Sequence, residues 1–153
     1  MIESAEAFAR LLSDPATTRT QLVNVRVSSD AVWWEILAKL PFAAAWVAAN
    51  RALPAEVAEH LAAHPLVQVR ACIASGPCMN EAVMLQLAHD KSELIRVRLV
   101  CNVQASREVL VMMAADACQL VSAHAQARLV HDISGVALPA SYLDDVQVLD
   151  LLH

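Results

Sequence analysis

Glycine is nearly missing from this 153-residue chain, which holds two, Gly76 and Gly135. Aromatic residues make up 4% of it and charged residues 18%, against about 25% charged in a typical soluble domain. β-Sandwiches and barrels rely on glycine at their turns and on aromatic or β-branched residues along their strands, so an all-β fold is disfavoured. Scarce glycine also leaves little scope for a loop that closes its backbone on a nucleotide phosphate. There is no GxSxG elbow, and the carboxylates are scattered with no obvious pair, so no catalytic constellation emerges. The four cysteines, Cys72, Cys78, Cys101 and Cys118, form no CxxC pair. Disulfides, metal ligation and a reactive thiol remain open readings, but the missing metal spacings favour free thiols packed as small hydrophobes. The opening Met1-Ile2-Glu3-Ser4-Ala5-Glu6 lacks a basic n-region, so no secretory leader is expected and a cytoplasmic location follows. The charge-free run from Leu40 to Asn50 is far shorter than the roughly 20 apolar residues of a membrane span, so no membrane is expected as a partner.

What the chain has in abundance is apolar surface. Apolar residues reach 58%, and alanine alone supplies 29, which argues against disorder. The net charge is −5 and the pI about 5.6. No block of Lys and Arg interrupts that balance, and an acidic surface does not attract phosphate backbones, so nucleic acid is not expected as a partner.

A repeat organises the apolar residues. Leu11, Leu37, Leu61, Leu87 and Met113 recur at a near-constant interval. The interval is roughly 24–26 residues, within the range that marks repeat architectures. Four residues before them stand Ala7, Trp33, Val57, Val83 and Val109. An apolar pair at i and i+4 shares one helical face, so each unit is expected to hold a short helix with these residues inward. Asp30, Asn80 and Ser106 stand where N-caps are needed, and Pro54 takes the same place in its unit. Asp14-Pro15, Leu40-Pro41 and His64-Pro65 are stops, because proline disfavours helix at the residue before it. A second short helical segment is expected in each unit: Ala43–Asn50, Val69–Gly76, Ile95–Asn102 and Val121–Arg128. Helices of two turns are marginal alone and persist when stacked on neighbours, as in a solenoid.

The stretches Val69–Asp90 and Ile95–Asp116, and in weaker form Ala45–Pro65, resemble the leucine-rich repeat variant family, a bacterial relative of HEAT-like repeats. The shared elements are Val69-Arg70 and Ile95-Arg96, the turns after each short helix, the apolar helix, and the Asp90 and Asp116 turns. Asn102-Val103 lacks the turn proline that Gly76-Pro77 keeps, and Ser122 stands where an arginine is expected. The resemblance implies an all-α, right-handed α-solenoid of short helical pairs, about five in number and roughly 24–26 residues each, with capping helices at both ends. The repeat region spans about 8–128 and a C-terminal capping segment about 129–153, within one domain of 1–153. Glu3–Leu12 is expected to cap the first unit, and a helix near 141–152, after a turn at Ser134-Gly135, to cap the last. Some members of that family carry an iron–sulfur module, but this chain has no cysteine cluster to match it, so no cofactor is expected; fold of this kind does not fix function.

Several residues invite a functional reading. His60 and His64 stand at i, i+4, a spacing that suits zinc on one helical face, with His89 or Asp90 as a third ligand. The favoured alternative is two solvent-facing histidines near a helix C-terminus. Arg70 and Arg96 share a repeat position, and an Arg–Asp ladder that ties units together is favoured over a basic row gripping a partner. Arg98 and Arg107 are the better surface candidates. Two residues before each anchor come Glu35, Glu59, Leu85 and Val111, a row expected to be exposed. With Met112, the last two predict an apolar patch for a partner or a second copy, unless the C-terminal helix covers them. Trp33 aligns with core valines. Trp34 and Trp46 are either core fillers, the favoured reading, or partner anchors. The expected function is a non-catalytic scaffold that binds a protein partner or self-associates. The alternatives are a HEAT-like enzyme or nucleic-acid-binding protein of the DNA glycosylase kind, or a metal module at His60 and His64.

Overall fold

A computed structural model describes residues 1–131. The turn expected at Ser134-Gly135 and the helix expected near 141–152 lie outside the described residues. Within them the chain is all-α, with ten helices. They are α1 (Ala5–Ser13), α2 (Arg19–Val23), α3 (Asp30–Lys39), α4 (Ala44–Ala48) and α5 (Ala55–Ala62), followed by α6 (Val67–Ser75), α7 (Glu81–Ala88), α8 (Glu93–Cys101), α9 (Arg107–Met113) and α10 (Gln119–His131). A single 3₁₀ turn, Pro41–Ala43, precedes α4, and Asp30–Lys39 and Pro41–Ala48 meet at a bend of 117°. Among the described residues, no single helix is long and apolar enough to cross a membrane.

Local chemistry sets the helix boundaries. Ser4 Oγ, Asn80 Oδ1 and Ser106 Oγ accept the backbone N–H groups of Ala7, Val83 and Val109, which satisfies one orphan donor at each start. Thr18 and Gln21 form a reciprocal capping box on α2, a signature not singled out in the sequence. Pro54 sits in extended backbone just before α5. Asp30 is not a cap: Ser29 holds the extended cap conformation and Asp30 opens the helix, where its charge favours the N-terminal end of the dipole. Asp14, Leu40 and Ala63 end their helices next to or two residues before a proline, as the missing N–H of proline requires.

Packing follows an every-other-helix rule. Helix α6 packs on α4 and α8, and α8 packs on α10; α7 packs on α5 and α9, and α1 on α3. Neighbours in sequence also pack, as α5 on α6, α7 on α8 and α9 on α10. The residues between the two series are the repeat residues. Val57, Leu61, Val83, Leu87, Val109 and Met113 are buried, each such side chain stabilising the fold by about 1.5–3 kcal/mol relative to exposure. Helix α6 is buried along Val69–Ala74 and packs on α4, and Ala44, Ala45, Ala48, Ala71 and Ala74 of the two helices are buried. Small side chains there let short helices approach closely.

The first two units depart from the expected register. Leu11 and Leu37 are half-buried, while Phe8, Trp33 and Ile36 are fully buried. In α3, Val32, Trp33 and Ile36 share the inward face, and Leu37 packs at the margin. The N-terminus is tied down separately. Ile2 exchanges backbone hydrogen bonds with Arg26 and Ser28 at 2.8 and 2.9 Å.

Candidate functional site

Two ladders run through the stack. In the first, Arg70 Nε and Nη2 donate to Asp90 at 2.6 and 3.0 Å, and its Nη1 donates to the carbonyls of His64 and Pro65. Arg96 repeats this one unit later, with Asp116 at 2.7 and 3.1 Å and the carbonyl of Asp90 at 2.8 Å. Each aspartate also accepts the N–H two residues on, from Ser92 or Cys118. Both arginines are therefore committed to the ladder and not to a basic outer row. Burial pushes the Asp90 carboxyl up, but the Arg70 and Ser92 hydrogen bonds outweigh it and hold it below the ordinary range. At Asp116 the Arg96 hydrogen bond leads, and the carboxyl is again held low.

The second ladder reaches the segment after α2 and the ends of α6 and α8. Positions 50, 76, 102 and 128 are Asn, Gly, Asn and Arg. Asn102 Nδ2 donates to the carbonyls of Ala74 and Gly76, both at 2.9 Å. Arg128 Nη1 does the same to Val100 and Asn102, at 2.8 Å each. Buried Asn50 donates to Val25 O at 2.9 Å. At Ala74 and Val100 these donors meet helix-end carbonyls that have no partner within their own helices. Gly76 alone in the series carries no side chain, and a Cβ there would lie 3.1 Å from Cys72 O.

That step in the ladder borders a cavity of about 730 Å³. Arg19 of α2, Arg51 after α4 and Arg98 of α8 all line it, and among the described residues no carboxylate does. Cys72 forms part of the wall. Burial pushes its thiol up to about 11, against the opposing fields of Arg98 and Arg19. Arg98 was expected at the surface. It is instead half-buried, donates to Ser75 Oγ at 2.8 Å, and burial lowers its pKa. Arg19 and Arg51 were not foreseen. Positions 19, 51 and 98 share no repeat phase, and only the stacking of the helices brings them to one cavity.

The expected outward row is placed as follows. Leu85 and Val111 are 38% and 57% exposed, at equivalent positions of α7 and α9. Met112 is half-buried against the core. Trp34, favoured as core, is 38% exposed; its ring meets His60 edge-on with centroids 5.2 Å apart. With Trp33 and Ile36 on the inward face, Trp34 lies outside. Trp46 packs against the core, and Arg107 is exposed at the start of α9.

His60 is thus engaged by Trp34, and His64 Nδ1 accepts the Leu66 N–H at 3.2 Å. Burial, then the charges of His60 and Arg70, lower the His64 pKa. Among the described residues, no three His, Cys, Asp or Glu side chains group in a way that could hold a metal ion. Compared with known proteins, the chain matches no family model, no curated protein and no solved structure.

Proposed function

We propose that the chain is a right-handed α-solenoid of the leucine-rich repeat variant or HEAT-like kind, and that it acts as a non-catalytic scaffold for a protein partner or a second copy. The observation that carries the reading is the Arg70–Asp90 bond and its duplicate one unit on, Arg96–Asp116. Identical joints one unit apart stack identical turns, and the every-other-helix packing has the same logic. A stack fixed in this way presents side chains at set intervals, so little ordering entropy is lost on binding. The surface offered is the outward row with Leu85 and Val111, which are both exposed.

A photo-crosslinking residue at position 85 or 111 of the full chain tests the reading in the native cell, with exposed Ala63 as control. The reading expects discrete cross-linked products at 85 and 111 that are weak at 63, or a dimer mass in light scattering that Leu85→Glu abolishes. A monomer with no products, or equal products at all three positions, overturns it.

A further inference from the structure

We propose that the backbone edge at Val27, with a cavity beside Trp33, is a docking site for an extended peptide segment of a protein partner, which adds to the edge as a β-strand. The site lies in the first units, apart from the Leu85–Val111 row, and so goes beyond the scaffold reading.

Backbone pairing is the first argument. The segment between α2 and α3 holds Val27 in a parallel bridge with Ile2. Ile2 N–H donates to Arg26 O at 2.8 Å, and Ser28 N–H donates to Ile2 O at 2.9 Å. In this pairing the bonds come from the residues on either side of Val27, so its own N–H and C=O face the opposite edge. Among the described residues neither group has a hydrogen-bond partner. An unpaired edge already held in β geometry is a template for another strand. Strand addition draws its affinity from such main-chain bonds.

The cavity is the second. It holds about 340 Å³ and is lined by Val25, Arg26, Val27, Asp30, Trp33 and Ala52. Asn50 Nδ2 donates to Val25 O at 2.9 Å, so the turn that holds Ala52 flanks this segment. Trp33 is 2% exposed, yet among the described residues its indole N–H has no partner. The indole nitrogen is not wholly sealed from solvent, and Trp33 meets open space at this cavity wall. A peptide carbonyl is the kind of acceptor that such a buried donor lacks. Arg26 and Asp30 add one charge of each sign to the lining. A free anion answers the donors alone. A facing strand answers the N–H and the C=O of Val27 with its own C=O and N–H.

The test is a titration of the isotope-labelled full chain with the peptide Lys-Thr-Val-Thr-Val-Thr-Glu, followed by nitrogen–proton NMR correlation spectra. Its β-branched residues favour the extended form. The expected result is saturable shifts at the Val27 amide and the Trp33 indole N–H, with the Trp34 indole unmoved. Pairing is expected to slow exchange of the Val27 amide by about tenfold or more. The same peptide N-methylated at its valines and threonines keeps its side chains, loses backbone donors and is expected to bind roughly tenfold more weakly. Ala52→Lys, at an exposed position of the wall, is expected to fill the cavity and abolish binding, with a circular dichroism melt verifying that the fold is kept. No saturable shift at Val27 and Trp33, equal binding by the N-methylated peptide, or unchanged binding by Ala52→Lys overturns the proposal. So does a Val27 amide already protected in the dilute free chain, which means that the chain covers its own edge. Protection that rises with protein concentration before peptide is added assigns the edge to a second copy and overturns it too. Cross-linking at Leu85 and Val111 reads the scaffold separately, so this site fails or stands without deciding that one.

Discussion

Arg70 and Asp90 are joined by two nitrogen–oxygen contacts of 2.6 and 3.0 Å, with both side chains almost wholly buried at 6% and 7% exposure. The bond links the start of α6 to the turn after α7, and Arg70 Nη1 also fixes the turn before α6 through two carbonyls. Removing one member of such a pair leaves the other as a buried, uncompensated charge. Arg70→Ala is therefore expected to destabilise the fold by about 3–5 kcal/mol. Arg96→Ala is expected to cost somewhat less, because its pair is a little more exposed at 14% and 9%. Urea denaturation followed by circular dichroism checks both. Unfolding of either variant at the wild-type midpoint means that these bonds do not hold the units together.

The same joints set a pH limit. Asp90 and Asp116 are both held below the ordinary value of 3.8 in the folded chain. Below that value the unfolded carboxyls take up protons before the folded ones, so acid favours the unfolded state. Their contribution is complete above pH 3.8 and is lost as pH falls through the lower folded values. His64 adds a milder loss at higher pH. Its folded pKa lies below 6.5, and a protonated Nδ1 cannot accept the Leu66 N–H. Thermal melts from pH 7 to pH 2.5 on wild type, Asp116→Asn and His64→Gln separate the two. Asp116→Asn is expected to be the less stable chain at pH 6 and to converge on wild type in strong acid, while His64→Gln flattens the decline below pH 6.5. Parallel curves for all three chains contradict the assignment.

Much of the central fold was legible because it repeats. The valines at 57, 83 and 109, the anchors that follow them, and the caps Asn80 and Ser106 stand in phase, and the Arg–Asp ladder followed from arginines and aspartates sharing a repeat position. The first units were harder to read. In α3, where Trp33 stands in place of the valines it aligns with, Ile36 and not Leu37 lies inside and Trp34 lies outside. The cavity was not legible at all. Its arginines belong to different phases of the repeat, so one-dimensional alignment hides a convergence that three-dimensional stacking creates.

The carbonyl ladder carries stability of its own. Asn102 donates to two carbonyls of the preceding unit and accepts the Gln104 N–H at 2.9 Å. Asn102→Ala strips partners from half-buried groups at a helix end, for an expected cost of about 1–3 kcal/mol. Asn102→Asp keeps the acceptor and loses the donor, so it places a carboxylate beside carbonyl oxygens and is expected to fare no better than alanine. An aspartate variant as stable as wild type in urea shows that the donor contributes nothing.

The thiols give a chemical readout of burial. Cys72 and Cys101 are both pushed up to about 11 by desolvation. The thiolate is the reacting species, so at pH 8 about one thiol in a thousand at these positions is reactive. Iodoacetamide at pH 8, read by peptide mass spectrometry, is expected to modify Cys72 and Cys101 slowly in the native chain. In urea they react as fast as the other cysteines. Rapid native labelling of Cys72 means that α6 opens from its neighbours on the labelling timescale.

Leu85, Val111 and Met112 stand together in the sequence pattern but not in the energetics of the fold. Leu85 and Val111 are exposed, whereas Met112 packs against the core. A glutamate at position 85 or 111 removes little buried surface, so Leu85→Glu and Val111→Glu are expected to shift stability by no more than about 0.5 kcal/mol. Met112→Lys buries part of a charged chain against apolar neighbours and is expected to cost about 1–3 kcal/mol. The contrast separates two reasons for losing a partner. If Leu85→Glu abolishes cross-linking while its urea midpoint is unchanged, the row itself makes the contact. If only Met112→Lys does so, the loss follows from weakened packing of α9, and the outward row is not the interface.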